Sequence, residues 1–187
     1  MEGAGRRLVL KVLSLISFLV VLVGTVSVVV ITSFDALITH EEDIRVAWER
    51  VQAVQDERRD LLADILHRLG PGALPVAVGQ EWRRGQSAVD EAAGLDGEVR
   101  AQPAADGSFS RLVSAIREAV ASDDSDDSIE ILNLLDRLGD AARRLGVERR
   151  LYNEEVQNCR RYLERIPTRW VAHAFGFEDA PEYGNKN

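Results

Sequence analysis

The stretch Ile131–Ile166, ILNLLDRLGDAARRLGVERRLYNEEVQNCRRYLERI, sets apolar or small residues at alternating steps of four and three. They are Ile131, Leu135, Leu138, Ala142, Leu145, Tyr152, Val156, Cys159, Leu163 and Ile166. This is heptad spacing, and at 1.5 Å per residue it describes one helix of about 50 Å with a single apolar stripe. Arg149 is the only charged side chain on that stripe. A long helix with one apolar face needs other helices to cover it. The expected fold is therefore all-α, with the remaining segments as packing partners.

Upstream, Val12–Phe34 is a run of 23 uncharged residues dominated by Val, Leu and Ile. At helical rise it spans about 34 Å, enough for the ~30 Å hydrocarbon core of a bilayer. A cleaved signal peptide would have a shorter apolar region ending in a small-x-small site, which Phe34 and Ala36 fit poorly. The run reads as a retained signal anchor, making the lipid bilayer the first partner. Residues 1–11 form a short basic region with Arg6, Arg7 and Lys11 against Glu2, a net +2. The far side opens with Asp35, Glu41, Glu42 and Asp43. The positive-inside rule then predicts a cytoplasmic N-terminus and an extracytoplasmic body.

Because the whole chain carries −8, the part after the basic region carries −10. An acidic body without a basic stripe makes nucleic acid an unsuitable partner, since phosphate neutralisation supplies most of that affinity. The single cysteine, Cys159, excludes an internal disulfide and lies on the apolar stripe as a small core residue.

Residues 35–41 read as a connector, and Glu42–Leu69 as the first helix of the bundle. Its stripe is Ile44, Trp48, Val51, Leu62, Ile65 and Leu69, with Gln55 and Arg58 in the middle, and Gly70-Pro71-Gly72 ends it. Residues 75–93 form a weaker helix with Val78, Trp82, Val89 and Ala93 on one face and Gly79 and Gly85 interrupting. Gly94–Gly107, with Pro103, reads as a loop. Ser108 is then expected to cap a short helix bearing Phe109, Leu112, Val113, Ile116 and Val120. The acidic Ser122–Ser128 run fits a connector that caps the long helix. It lacks the alternating ligands, glycine and closing glutamate of a calcium loop. Pro167 stops the long helix, leaving an irregular tail, 167–187, with Trp170, Phe175, Phe177 and Tyr183. The bundle thus covers 42–166, with three to four antiparallel helices.

Two constellations stand out. In an antiparallel bundle the polar breaks on the first and last helices fall at similar height: Gln55 and Arg58 lie 11 and 14 residues after Ile44, and Arg149 and Tyr152 lie 17 and 14 before Ile166. A buried guanidinium needs an acid, with Glu57 and Asp60 the nearest on the first helix. The layer of Gln55, Arg58, Asp60, Arg149 and Tyr152 either fixes register or forms a ligand or partner site. The tail aromatics Trp170, Phe175 and Phe177 lie at the membrane-proximal end. There they either cap the bundle or meet headgroups or a membrane partner. His40, His67 and His173 do not cluster, and neither a nucleophile triad nor a phosphate loop appears. No cofactor, metal or catalytic residue is expected, and the chain reads as a non-enzyme.

Ala47-Trp48, Val51, Gln55 and Arg58-Arg59 before Leu62 resemble the opening helix of the LemA family of bacterial membrane proteins. Arg149, Tyr152-Asn153, Val156, Pro167, Val171-Ala172 and Gly176-Phe177 follow the family's spacing at the other end. The middle departs: the Tyr-Pro-x-Leu-Lys-Ala type segment is absent, Asp60-Leu-Leu-Ala-Asp-Ile65 replaces a proline-containing run, and Ala142 stands where an acid is usual. The resemblance implies a divergent member: a transmembrane helix followed by an antiparallel bundle, with no established catalytic activity. The function expected is a membrane-tethered interaction or scaffold module of the envelope with a membrane or envelope protein partner. The alternative is a sensory or small-ligand-binding bundle using the layer around Arg58 and Arg149.

Overall fold

A computed structural model describes residues 2–121 and 126–184. Five helices follow in order: α1 (Glu2–Leu69), α2 (Val76–Asp90), α3 (Gly94–Val120), α4 (Asp126–Leu163) and α5 (Thr168–Phe175), with no strand among the described residues. The fold is all-α, as the periodicity predicts. The chain divides into two compact units. The first combines the residues up to Glu41 with Cys159–Glu178, and the second combines Glu42–Asn158 with the chain from Asp179 onward.

α1 is continuous over 68 residues, so the connector expected at 35–41 is helical. That segment contains neither Gly nor Pro, and Leu37 is buried, which gives the helix a reason to persist. Before it, the apolar stretch is uncovered: Leu13, Phe18 and Val28 are each more than 60 % exposed. By length and composition this helix can cross a bilayer, with a mean hydropathy of 2.7 over an 18-residue window. The Thr25, Ser27 and Thr32 hydroxyls donate at 2.9 Å to the carbonyls of Val21, Val23 and Val28, satisfying themselves within the helix.

In the first unit, Val171 and Ala172 of α5 pack on Leu37, with Val30, Phe34, Tyr162, Leu163 and Phe177 around them. Phe34 meets Phe175 and Phe177 at centroid distances of 4.9 and 5.7 Å. Two expectations are corrected here. α4 ends at Leu163 rather than Ile166, and Ile166 is 69 % exposed. The ring of Pro167 clashes with a helical carbonyl four residues back, at Leu163, so the helix must stop there. The tail is also partly ordered: 168–175 is a helix, closed by Gly176 at φ 76° with the Phe177 N–H donating to the Ala172 carbonyl.

In the second unit, the core joins Leu61, Leu62 and Ile65 of α1 to Phe109, Leu112 and Ile116 of α3 and to Ile131, Leu135 and Leu138 of α4. Val78 and Trp82 of α2 pack against its side. α1 and α4 are antiparallel: Arg68 reaches Glu130 at 2.7 Å, Arg144 reaches Glu57 at 2.6 Å, and the Trp48 and Tyr152 rings lie 5.3 Å apart. On α4 the stripe departs from heptad spacing at one place, where Ala141 is fully buried and Ala142 is exposed; Leu145, Tyr152, Val156 and Cys159 are buried in register.

The expected loop at 94–107 is the first half of α3, a 27-residue helix with Pro103 inside it. Val99, Gln102, Ala105 and Phe109 are buried at helical spacing, and their burial outweighs the weak propensity of Gly97, Pro103 and Gly107. Ser108 accordingly lies inside the helix instead of capping it, its Oγ donating to the Ala105 carbonyl at 2.8 Å. Gly85 permits the close approach of α2 to α3, since a Cβ there would lie 2.6 Å from Ser108 Oγ and 3.2 Å from Ala105 Cα. Ser122–Ser125, expected to lead into the cap of α4, lie outside the described residues.

Candidate functional site

The polar layer exists, but its acid comes from α3. Asp106 Oδ1 accepts from Arg58 Nη1 at 3.2 Å, while Oδ2 accepts from Arg149 Nη2 and from the Tyr183 hydroxyl. The side chains of Arg58, Asp106 and Arg149 are 9, 19 and 22 % exposed, so the group is largely withdrawn from water. Each guanidinium also has an aromatic face beneath it: Arg58 lies 4.0 Å from the centroid of Phe109, and Arg149 lies 4.2 Å from that of Tyr183. A planar, weakly hydrated cation held between a carboxylate edge and a ring keeps its charge at reduced desolvation cost.

The expectation that Glu57 or Asp60 meets Arg149 is corrected. Asp60 is exposed and takes no part in the layer, and Glu57 is bound to Arg144. Both lie on α1 beside Arg58, whereas the space between the two arginines is filled from α3.

Tyr152 is fully buried and stands one step away, its hydroxyl donating to the Pro181 carbonyl at 2.9 Å. Asn153 binds the neighbouring tail residue twice. Its Oδ1 accepts from the Tyr183 N–H at 2.7 Å, and its Nδ2 donates to the Tyr183 carbonyl at 3.2 Å. Trp48, 6.4 Å from the Tyr183 ring, donates through Nε1 to Glu98 at 2.9 Å, and Gln52 donates to the same carboxylate oxygen at 2.7 Å.

Burial governs the titration of this group. It lowers the affinity of Arg58 for its proton, against which the charge of Asp106 and its hydrogen bond push upward. It raises Tyr183 well above the ordinary tyrosine range, reinforced by the hydrogen bond and charge of Asp106 and countered by Arg149 and Arg58. Tyr152 is raised in the same way, chiefly by burial. Tyr183 is thus held as a neutral donor.

Gln55 is buried, 6 % exposed, but stands beside the charged group: its Nε2 has no hydrogen-bond partner among the described residues. Arg58 Nε and Arg59 Nε are likewise buried without one. Gln55 and Arg59, though not Arg58, also line a cleft of about 260 Å³ between α1, the end of α2 and α3, together with Gln52, Asp56, Glu98 and Gln102 among others. The breaks at Gln55, Arg58, Arg149 and Tyr152 were legible from spacing. Asp106 was hidden in a segment that reads as loop, and Tyr183 in a tail that reads as irregular. Asn153 carried a signal only through the family resemblance.

A helical bundle organised around two arginines on opposite helices, closed by one carboxylate and a returning tyrosine, defines the class. The LemA family model matches residues 47–187, most of the chain, and the protein belongs to the LemA family. No curated protein matches the chain.

Proposed function

We propose that this protein is a membrane-anchored interaction or scaffold module of the bacterial envelope, with no catalytic activity of its own. The uncovered apolar stretch of α1 carries the reading, because a helix that exposes Leu13–Val28 on all sides needs a nonpolar surrounding. The basic flank at Arg6, Arg7 and Lys11 supports a cytoplasmic N-terminus and an extracytoplasmic bundle. The arginine layer supports a structural role for the charged residues, since one carboxylate, Asp106, bridges both guanidiniums and Tyr183 donates to that same carboxylate.

Photo-crosslinking from exposed positions of the bundle in native membranes tests the proposal. It predicts capture of one defined envelope protein, from a contiguous face only. Capture from no face, or equally from every face, would overturn it. A reporter fused after Asn187 that is active only in the cytoplasm would overturn the orientation.

A second reading has an observation in its favour. Gln55, which lines the 260 Å³ cleft and whose Nε2 is unpaired among the described residues, suits a small polar ligand beside, rather than within, the layer around Arg58 and Arg149. Saturable protection of the bundle by a small molecule, lost in Gln55→Leu, would favour it over the interaction module.

A further inference from the structure

The inner and outer faces of α5 differ in chemistry. Thr168, Val171 and Ala172 are buried, the last two against Leu37 with Val30 and Phe34 alongside. Trp170 and, just before the helix, Ile166 are 67 and 69 % exposed, and Phe175, although its ring meets Phe34, leaves 57 % of its surface exposed. Arg165 and Arg169 are exposed too and make no ion pair among the described residues. The turn before α5 is joined to it, with the Arg169 N–H donating to the Arg165 carbonyl at 2.8 Å, so the two arginines sit about one turn apart. Segment 159–178 holds four arginines and two glutamates, a formal +2 in a chain of −8.

Position gives these side chains a partner. Val30 and Phe34 are the last apolar turns of α1 before Asp35, and α5 packs on them within one compact unit. If the stretch up to Phe34 spans a bilayer, α5 lies where the hydrocarbon ends. Indole and phenyl rings favour that boundary, and guanidinium groups beside them reach the phosphodiester layer. Arginine binds phosphate through paired N–H donors, and neither Arg165 nor Arg169 is ion-paired with a carboxylate among the described residues, the exposed neighbour Glu164 included.

We propose that residues 164–175 form a binding site for anionic phospholipid headgroups, in the leaflet from which α1 emerges at Phe34. Arg165 and Arg169 take the headgroup phosphates, and Ile166, Trp170 and Phe175 insert at the boundary between headgroups and acyl chains. This rests on the membrane-anchor reading and adds a second, lipid-selective contact to it.

The test uses the full chain in nanodiscs of phosphatidylcholine, with and without phosphatidylglycerol. Lipid brominated near the top of its acyl chains should quench a component of tryptophan emission that Trp170→Phe lacks. The double variant Arg165→Gln/Arg169→Gln should reduce phosphatidylglycerol enrichment around the protein roughly ten- to thirty-fold, since each basic side chain near an anionic surface contributes about a factor of ten or less. Both arginines are exposed, so the variant should keep its helical circular dichroism. An inserted protein with unquenched Trp170, or with equal retention of the two lipids, would overturn the site. Failure of the wild-type chain to insert would overturn the anchor as well, and co-fractionation with the discs separates the two results.

Discussion

Asn153 binds Tyr183 by both edges of its backbone, accepting from the N–H at 2.7 Å and donating to the carbonyl at 3.2 Å. A side-chain amide here does what a neighbouring strand does in a sheet, and it sets the tyrosine so that its hydroxyl reaches Asp106. Asn153→Ala removes both bonds and should lower unfolding free energy by about 1–3 kcal/mol. Asn153→Asp should cost at least as much, because a carboxylate cannot donate to the Tyr183 carbonyl. Urea denaturation measures both. Equal stability of all three proteins would show that the tail is not held this way.

Removing Asp106 should be the costliest change in the layer. Asp106→Asn leaves two partly buried guanidiniums without a countercharge, for an expected loss of about 3–5 kcal/mol. Arg149→Met leaves one cation and one anion and should cost clearly less. If Arg149→Met proves the more damaging, the carboxylate does not balance the pair.

Alkaline pH should destabilise the fold through its tyrosines. Tyr183 and Tyr152 have raised pKa values in the folded protein, so above about pH 10 the unfolded chain loses protons that the native state keeps. Their stabilisation is complete below that pH and falls as pH rises, by up to about 1.4 kcal/mol per pH unit for each tyrosine. Tyr183→Phe should start less stable, having lost the bond to Asp106, yet fall less steeply. Denaturant midpoints from pH 8 to 11.5 would show it, and parallel slopes would contradict the assignment.

The two glycines of α2 should behave oppositely. Gly85→Ala sets a methyl 2.6 Å from Ser108 Oγ and 3.2 Å from the Ala105 Cα, and should destabilise by about 1–3 kcal/mol. Gly79→Ala meets nothing within 4 Å and should stabilise by up to about 1 kcal/mol. Thermal melts of both proteins are sufficient to check the pair.

How much of this was legible in the sequence follows from where the information lies. The faces of α1 and α4 are dictated by local periodicity, so spacing alone places Val51, Leu62, Tyr152 and Val156 in the core, where all four are buried. The height of Arg58 relative to Arg149 followed from antiparallel geometry alone. Asp106 could not be found that way. Pro103 and three glycines between 94 and 107 argue locally for a loop, and only burial against other helices overrides them. The acid sought opposite Arg149 on α1 arrives from 43 residues upstream on α3. Likewise the tail was legible as aromatic, but its division was not: Phe177 packs on Phe34, whereas Tyr183 closes the arginine layer.

The position of Tyr183 has a consequence for how the bundle is completed. Its hydroxyl meets a carboxylate 77 residues earlier, and its ring covers Arg149. A chain cut after Glu178 would retain the sequences of α1 to α5, yet leave Arg149 without its aromatic cover and Asp106 short of a donor. Such a fragment would carry a wet, imperfectly compensated charge in its interior, and proteases that sample local opening would meet it more often. The returning tyrosine is thereby a seal, and full-length chains are distinguished from truncated ones by whether that seal is in place.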